Sequence, residues 1–293
     1  MTLDYLHAVL GLLGADNNFC AQCENIYVRY FNKNSLLSEF SDMFFSEKHT
    51  DFNGVYYYPE SFYPKKFFDS MNKFASFSGE DILSLYICVY LLLSEKTFEN
   101  YRKNGISDHI FKNTFKGMLN AYKNGEFDYR FYANIPGENL FGFESLLYQA
   151  ADFLCPGFCV PEYPVIKIHV PKGAAFSREK RYMSYVEAYK FFSKKISKTL
   201  YFVCDSWLLS KDHAKLLPFS SNIADFRGDF TIVSEDQSFD TGHLRRIFGE
   251  SDVSRILSTE WKTSLQNIYK KKLADNDPFY SAVGVFKMEG TFD

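Results

Sequence analysis

One histidine stands where proton transfer could be carried out. In "VIKIHV" (165–170), side chains alternate across a strand, so Val165, Lys167 and His169 share one face and Ile166, Ile168 and Val170 the other. An imidazole titrates near neutral pH, and proton abstraction works best when the pKa of the base lies near working pH, so His169 is a candidate general base. It lies two residues before Pro171, close to a strand end, where open α/β sheets bind ligands. A second apolar segment, "LYFVCDSWLL", carries Asp205 and Ser206, candidates to orient a substrate or the imidazole. The competing reading of His169 is a hydrogen-bonded structural residue.

The residues after the histidine suit an anion. "PKGAAFSREKR" places Gly173 in a loop of small residues, Ser177 as a candidate N-cap, and Lys172, Arg178, Lys180 and Arg181 around a helix start. The first N–H groups of a helix lack intrahelical partners and carry partial positive charge, so a strand that passes through such a loop into a helix can hold a phosphate. Judged by charge alone, the same cluster reads as a solvated helix face.

Other chemistries find less support. "CAQC" puts Cys20 and Cys23 at redox or zinc spacing, but Cys155 and Cys159 lie far away with different spacing, and no metal site is expected. Six cysteines in unevenly spaced apolar segments read as reduced small hydrophobes, Cys204 among them. "DQSFDTG" from Asp236 has alternating oxygen ligands but puts Thr241 where a calcium loop needs glycine. No HExxH, Walker lysine loop or GxSxG is present.

The elements that must position these residues fall into two parts. With 293 residues, 32 Phe and 21 Tyr, the chain is long and aromatic enough for a substantial core and two domains. A formal charge of −3 gives no overall attraction to nucleic acid or an anionic membrane. The opening lacks the basic flank of a secretory signal, and the run Ile82–Leu93, 12 residues long, is too short to span a bilayer; a cytoplasmic protein is expected. Helical patterns dominate to about residue 123: Leu3, Leu6, Leu10 and Leu13 form one stripe, Ser78 is the expected N-cap of the next apolar helix, and Ile106, Ile110, Phe111, Phe115 and Leu119 form a stripe closing at Gly125. From Val165 strands alternate with helices: "VIKIHV", a helix over 177–196, "LYFVCDSWLL", "KDHAKLLP", "FRGDFTIVS", the helix "TSLQNIYKKKL" and a last strand "YSAVGVFKM". The fold class is therefore α/β (α+β), with a helical domain over 1–135 and a mixed-sheet domain over 136–293.

In "MTLDYLHAVLGL", "TFENYRKNGISDHIFKNTFKGM", "IHVPKG", "FVCDSWLL", "LLPFSSNIADFRGDF" and "TSLQ", the chain resembles bacterial acyltransferase-like proteins with a helical N-terminal domain and a C-terminal domain similar to the GNAT superfamily of acyl-CoA-dependent N-acyltransferases. The resemblance covers most of the chain. It implies a central strand, pyrophosphate loop and helix over 166–192, with Lys172, Gly173, Ala174, Ala175, Ser177 and Arg178 at the phosphates of acyl-CoA or acetyl-CoA and Asn222 as a further cofactor contact. The next strand would splay from the first and leave a wedge for the pantetheine arm. A small-molecule or peptide amine would attack the thioester, with His169 as base and Asp205 and Ser206 orienting. The superfamily's phosphate loop opens with Gln or Arg, where this chain has Val170. The alternative is a catalytically silent module that binds a ligand or a protein on the same fold.

Overall fold

The structure, a computed structural model, describes residues 1–290 apart from 33–34, 47–49, 53–54, 58–62, 154, 156–163, 219 and 238–240. The first part is built of helices α1 (Leu3–Leu13), α2 (Asn17–Ile26), α3 (Leu36–Phe45), α4 (Lys65–Ser78), α5 (Ile82–Lys103), α6 (Asp108–Lys123) and α7 (Tyr129–Tyr132), with a small hairpin, β1 (Thr50–Phe52) and β2 (Val55–Tyr57), between α3 and α4. The leucine stripe of α1 faces inward: Leu6, Leu10 and Leu13 are buried with Val9. Every residue of α5 from Leu85 to Leu93 is buried, so its apolar run is explained by a place at the centre of the bundle. Among the described residues no helix is long and apolar enough to cross a membrane.

The cap of α5 differs from the sequence expectation. Ser78 is the last residue of α4, because Gly79 takes φ +72° and ends that helix, and Asp81 caps α5 by accepting from the Ser84 N–H at 2.8 Å. Ser107 caps α6 and Gly125 closes it at φ +70°.

The second part is a six-stranded mixed sheet of β3 (Leu140–Phe143), β4 (Leu146–Ala151), β5 (Val165–His169), β6 (Thr199–Ser206), β7 (Thr231–Gln237) and β8 (Tyr280–Glu289), in the spatial order β3-β4-β5-β6-β8-β7. β5 and β6 are parallel; the other neighbours are antiparallel. Between β5 and β6 runs α8 (Arg178–Phe192), whose Tyr185, Tyr189 and Phe192 are buried against the sheet. After β6 come a short 3-10 turn (Trp207–Leu209), α9 (Lys211–Leu216) and α10 (Asn222–Arg227). The segment "FRGDF" therefore lies at a helix end, and the strand starts at Thr231. α11 (Thr241–Phe248) and α12 (Val253–Ser258), which the sequence pattern did not single out, pack with α13 (Ser264–Ala274) around Trp207 and Ile256. Thr263 and Gln266 form a capping box on α13.

One apolar cluster runs from Leu6 and Phe40 through Phe115 and Phe141 to Phe202 and Met288 and takes in both Leu147 and Tyr148, which alternate to opposite faces of β4, so the helical part shares a core with the sheet around its β3–β4 edge. The junction is close. The Gly142 N–H donates to Thr114 Oγ1 at 2.7 Å, and a Cβ on Gly142 would lie 2.8 Å from the Thr114 backbone nitrogen. A separate, smaller cluster of Phe153, Val165, Val203 and Val285 lies on the face of β5 that carries Val165.

Candidate functional site

The site is organised by a gap in the sheet. β5 and β6 pair only at Ile166 with Phe202 and Lys167 with Val203. Beyond those pairs, Ile168 and His169 bond to β4, whereas Cys204, Asp205 and Ser206 bond to β8, so the two parallel strands part toward their C-terminal ends. Alternation puts Lys167 and His169 on the face of Val203 and Asp205.

His169 is held by neighbours from both parts of the chain. Its Nε2 lies 3.1 Å from Gln149 Oε1, and the Phe131 ring meets the imidazole nearly edge-on at 4.9 Å between centroids. Burial, reinforced by the positive charges of Lys167 and Arg246, pushes the imidazole down to about 4, so it is neutral at physiological pH. Asp205 is exposed on the same face of the sheet; the Ser206 hydroxyl accepts from the Leu208 N–H at 3.1 Å and so caps the 3-10 turn. Neither is bonded to the imidazole; Gln149 takes that place. Cys204 points into the core, where burial raises its thiol well above the ordinary range, so it is inert as a nucleophile.

The loop after β5 stands at the end of this gap. Gly173 adopts φ +74°, and the Ala174 N–H closes a turn onto the Pro171 carbonyl at 3.2 Å. Gly173, Ala175 and Ser177 are exposed, and their N–H groups take no partner among the described residues. Ser177 caps α8 by accepting from the Lys180 N–H. On its β4 side the loop lines a cleft of about 250 Å³, closed opposite by Asn113, Lys116 and Asn120 of α6 and by Ser145, whose hydroxyl donates to the Ala175 carbonyl at 2.7 Å.

The basic cluster separates into different roles. Lys172 pairs with Glu126 at 3.0 Å and Lys180 with Glu144 at 3.5 Å. Arg181 is fully buried, bonded to Asp229 at 2.8 Å and Asp225 at 2.7 Å, and sandwiched near the rings of Phe176 and Phe226; it ties α8 to α10 and is not available to an anion. Arg178 is exposed with no ion-pair partner among the described residues. Asn222 opens α10, exposed, and its carbonyl accepts from Arg181 at 3.5 Å.

A second, larger groove of about 660 Å³ runs along α8 between Arg178, Tyr182 and Tyr185 and the β8 residues Phe286 and Met288, with an apolar wall. His109, Glu144 and Glu187 each bring a ligand atom within 4.8 Å of the others. Lys180 already lies on Glu144, and Asn113 bonds His109 Nε2 at 3.0 Å. Of the cysteine pairs, Cys20 and Cys23 lie one turn apart on α2 with Cys23 buried, while Cys159 of the differently spaced pair lies outside the described residues.

Residues that sequence reasoning did not assign to the site are Gln149, Asn134, Phe131 and Arg246. The signal for Gln149 was its place as a lone polar residue in the apolar string "LLYQAA", but its partner depends on strand register.

Residues 148–286 match the model of a family described as the GNAT-like C-terminal domain. No curated protein matches the sequence. Solved structures share the fold. One is an acyltransferase in complex with decanoyl-CoA, at TM-score 0.64 and 14% identity over 96% of this chain and 98% of that one. Another is a mutant acyltransferase in complex with octanoyl-CoA, at TM-score 0.68 and 12% identity over 97% and 88%. A third is an acyltransferase in complex with decanoyl-CoA and teicoplanin, at TM-score 0.57 and 12% identity over 96% and 99%.

Proposed function

Because residues 148–286 form a GNAT-like C-terminal domain behind a helical N-terminal part, we propose that the protein is an acyl-CoA-dependent acyltransferase that moves an acyl group onto a small-molecule amine. The observation that carries this reading is the parting of β5 from β6 beyond Lys167 and Val203, with an exposed, amide-rich loop at the end of the gap. In that reading the free N–H groups of Gly173, Ala175 and Ser177, with Lys172, Ala174 and Arg178 around them, hold the pyrophosphate, and Asn222 is a further contact. The pantetheine arm lies in the gap and brings the thioester to the face of His169.

The amine attacks the thioester carbonyl. His169 takes the proton as the nitrogen–carbon bond forms, and the sulfur leaves with a proton as the free thiol. A base this depressed is weak but fully unprotonated at neutral pH, so the site contributes availability and placement more than basicity. Asp205, exposed on the same face, contacts the acceptor, and Ser206 holds the end of β6. The relatives in complex with octanoyl-CoA, decanoyl-CoA and teicoplanin support a medium-chain donor and a small-molecule acceptor.

Two observations favour the silent-module alternative: Val170 stands at the first position of the phosphate loop, and Lys172 and Lys180 are engaged by carboxylates. Thermal unfolding with CoA and decanoyl-CoA tests the shared premise. A ligand present at 100 times its Kd adds about 2.7 kcal/mol to the folded state, a rise of several degrees in Tm. An unchanged Tm at millimolar CoA refutes the acyltransferase reading. Binding without any transfer or hydrolysis of the acyl group supports the silent module.

A further inference from the structure

The hydrogen bonds around His169 fix more than its position. Asn134, in the turn after α7, donates from Nδ2 to the Phe131 carbonyl at 2.8 Å. A carbonyl can only accept, so the orientation of the Asn134 amide is determined and its Oδ1 faces the other way. That oxygen receives the Gln149 Nε2–H and the Asn139 Nδ2–H, each at 3.4 Å. The Gln149 amide is thereby oriented too, and it turns Oε1 toward His169 Nε2 at 3.1 Å. Since Oε1 can only accept, Nε2 must carry the imidazole proton, and the lone pair is left on Nδ1.

The anchor of these bonds is buried and itself hydrogen-bonded. Asn134 is buried, and its carbonyl accepts from the Asn139 and Leu140 N–H groups at 2.9 and 3.1 Å; Asn139 is fully buried. Phe131, whose carbonyl starts the sequence of bonds, also sets its ring against the imidazole. Gln149 reaches His169 because the antiparallel register opposes Leu147 to His169, which makes Gln149 the diagonal neighbour on the same face.

We propose that Gln149 is the positioning residue of His169: with Asn134 behind it, it locks the imidazole in the Nε2–H form and dedicates Nδ1 to taking the acceptor's proton. This rests on the reading of His169 as the base. The helical part then takes part in the chemistry through the Phe131 carbonyl and Asn134, without touching substrate. In the transfer step, Nδ1 gains the proton released as the acceptor bonds to the carbonyl carbon. The imidazolium so formed keeps its Nε2–H on Gln149 Oε1, whose dipole offsets part of the repulsion from Lys167 and Arg246. The proton finally leaves on the CoA sulfur.

Two readouts on the 293-residue chain test this. The tautomer of His169 is read by nitrogen-15 NMR of histidine-labelled protein near pH 7, assigned with His169→Gln. The wild type is expected to show a protonated Nε2 and a bare Nδ1; Gln149→Leu should show a mixture of tautomers. Hydrolysis of decanoyl-CoA, with water as acceptor, is followed by thiol release. Gln149→Leu is expected to lower kcat about tenfold or more with little change in KM, and Gln149→Glu to retain turnover while moving the acidic limb of the pH profile up by about one unit or more, because an adjacent carboxylate favours the imidazolium. A wild-type imidazole protonated on Nδ1 overturns the proposal, and so does a Gln149→Leu variant with an unchanged tautomer. If His169→Gln leaves hydrolysis intact, the base assignment fails whatever the tautomer; if His169→Gln abolishes hydrolysis and Gln149→Leu does not alter it, only the role of Gln149 fails.

Discussion

Acid should destabilise this protein through His169, by an amount the site itself sets. An imidazole in the unfolded chain titrates near 6.5, whereas burial and the nearby Lys167 and Arg246 bring the folded value down to about 4. Between these values the unfolded state binds a proton that the folded state does not, so stability rises with pH across this window. The contribution is complete above the unfolded pKa and is lost as pH falls. The loss is about 2 kcal/mol between pH 7 and pH 5 and about 3 kcal/mol by pH 4. His169→Gln removes this group and leaves every other titration in place, so subtracting its stability from that of the wild type isolates the term. Urea unfolding followed by circular dichroism at several pH values between 7 and 5 gives both curves. The wild type should lose more stability than the variant by about 2 kcal/mol over that interval. Parallel curves would show that the imidazole titrates normally, and the account of an imidazole kept neutral by its surroundings would be wrong.

Arg181→Met should destabilise by about 3 kcal/mol, because it leaves the Asp225 and Asp229 carboxylates without their shared cation; denaturant melts measure this, and a change under about 1 kcal/mol would mean the network is hydrated. Gly142→Ala should cost about 1–3 kcal/mol in the same assay, since the new methyl would press on the Thr114 backbone at 2.8 Å and push β3 off α6. Gly173→Val combines a φ of +74°, which β-branched residues rarely adopt, with loss of close approach by a ligand. It should weaken CoA binding, read by calorimetry, while Tm without ligand falls only slightly. An unaltered affinity removes the loop from the cofactor site.

What could be read from the residues alone was whatever is fixed locally. The alternation of "VIKIHV" gives the face of His169, and the Gly173 turn gives the strand-to-helix handover, both within a few residues. Even a local signal can be read one element too early: Ser78 has the chemistry of an N-cap, but Gly79 had already ended the helix that contains it. What was illegible depends on long sequence separation. Arg181 counts as a free cation until residues 44 and 48 positions later fold over it.

The same distinction governs the site. A histidine's chemistry is set by which nitrogen holds the proton, and here that depends on a backbone carbonyl at Phe131, two amides, and the register of β4 on β5. The bond from Asn134 to Phe131 is local, but those that carry its orientation on to Gln149 and His169 span 15 and 20 residues, beyond the reach of any spacing rule. The helical part has a reason to share a core with the sheet beyond added stability: the buried Asn134 orients Gln149 only while α7 stays docked, so undocking would release the imidazole without breaking a single bond within β5.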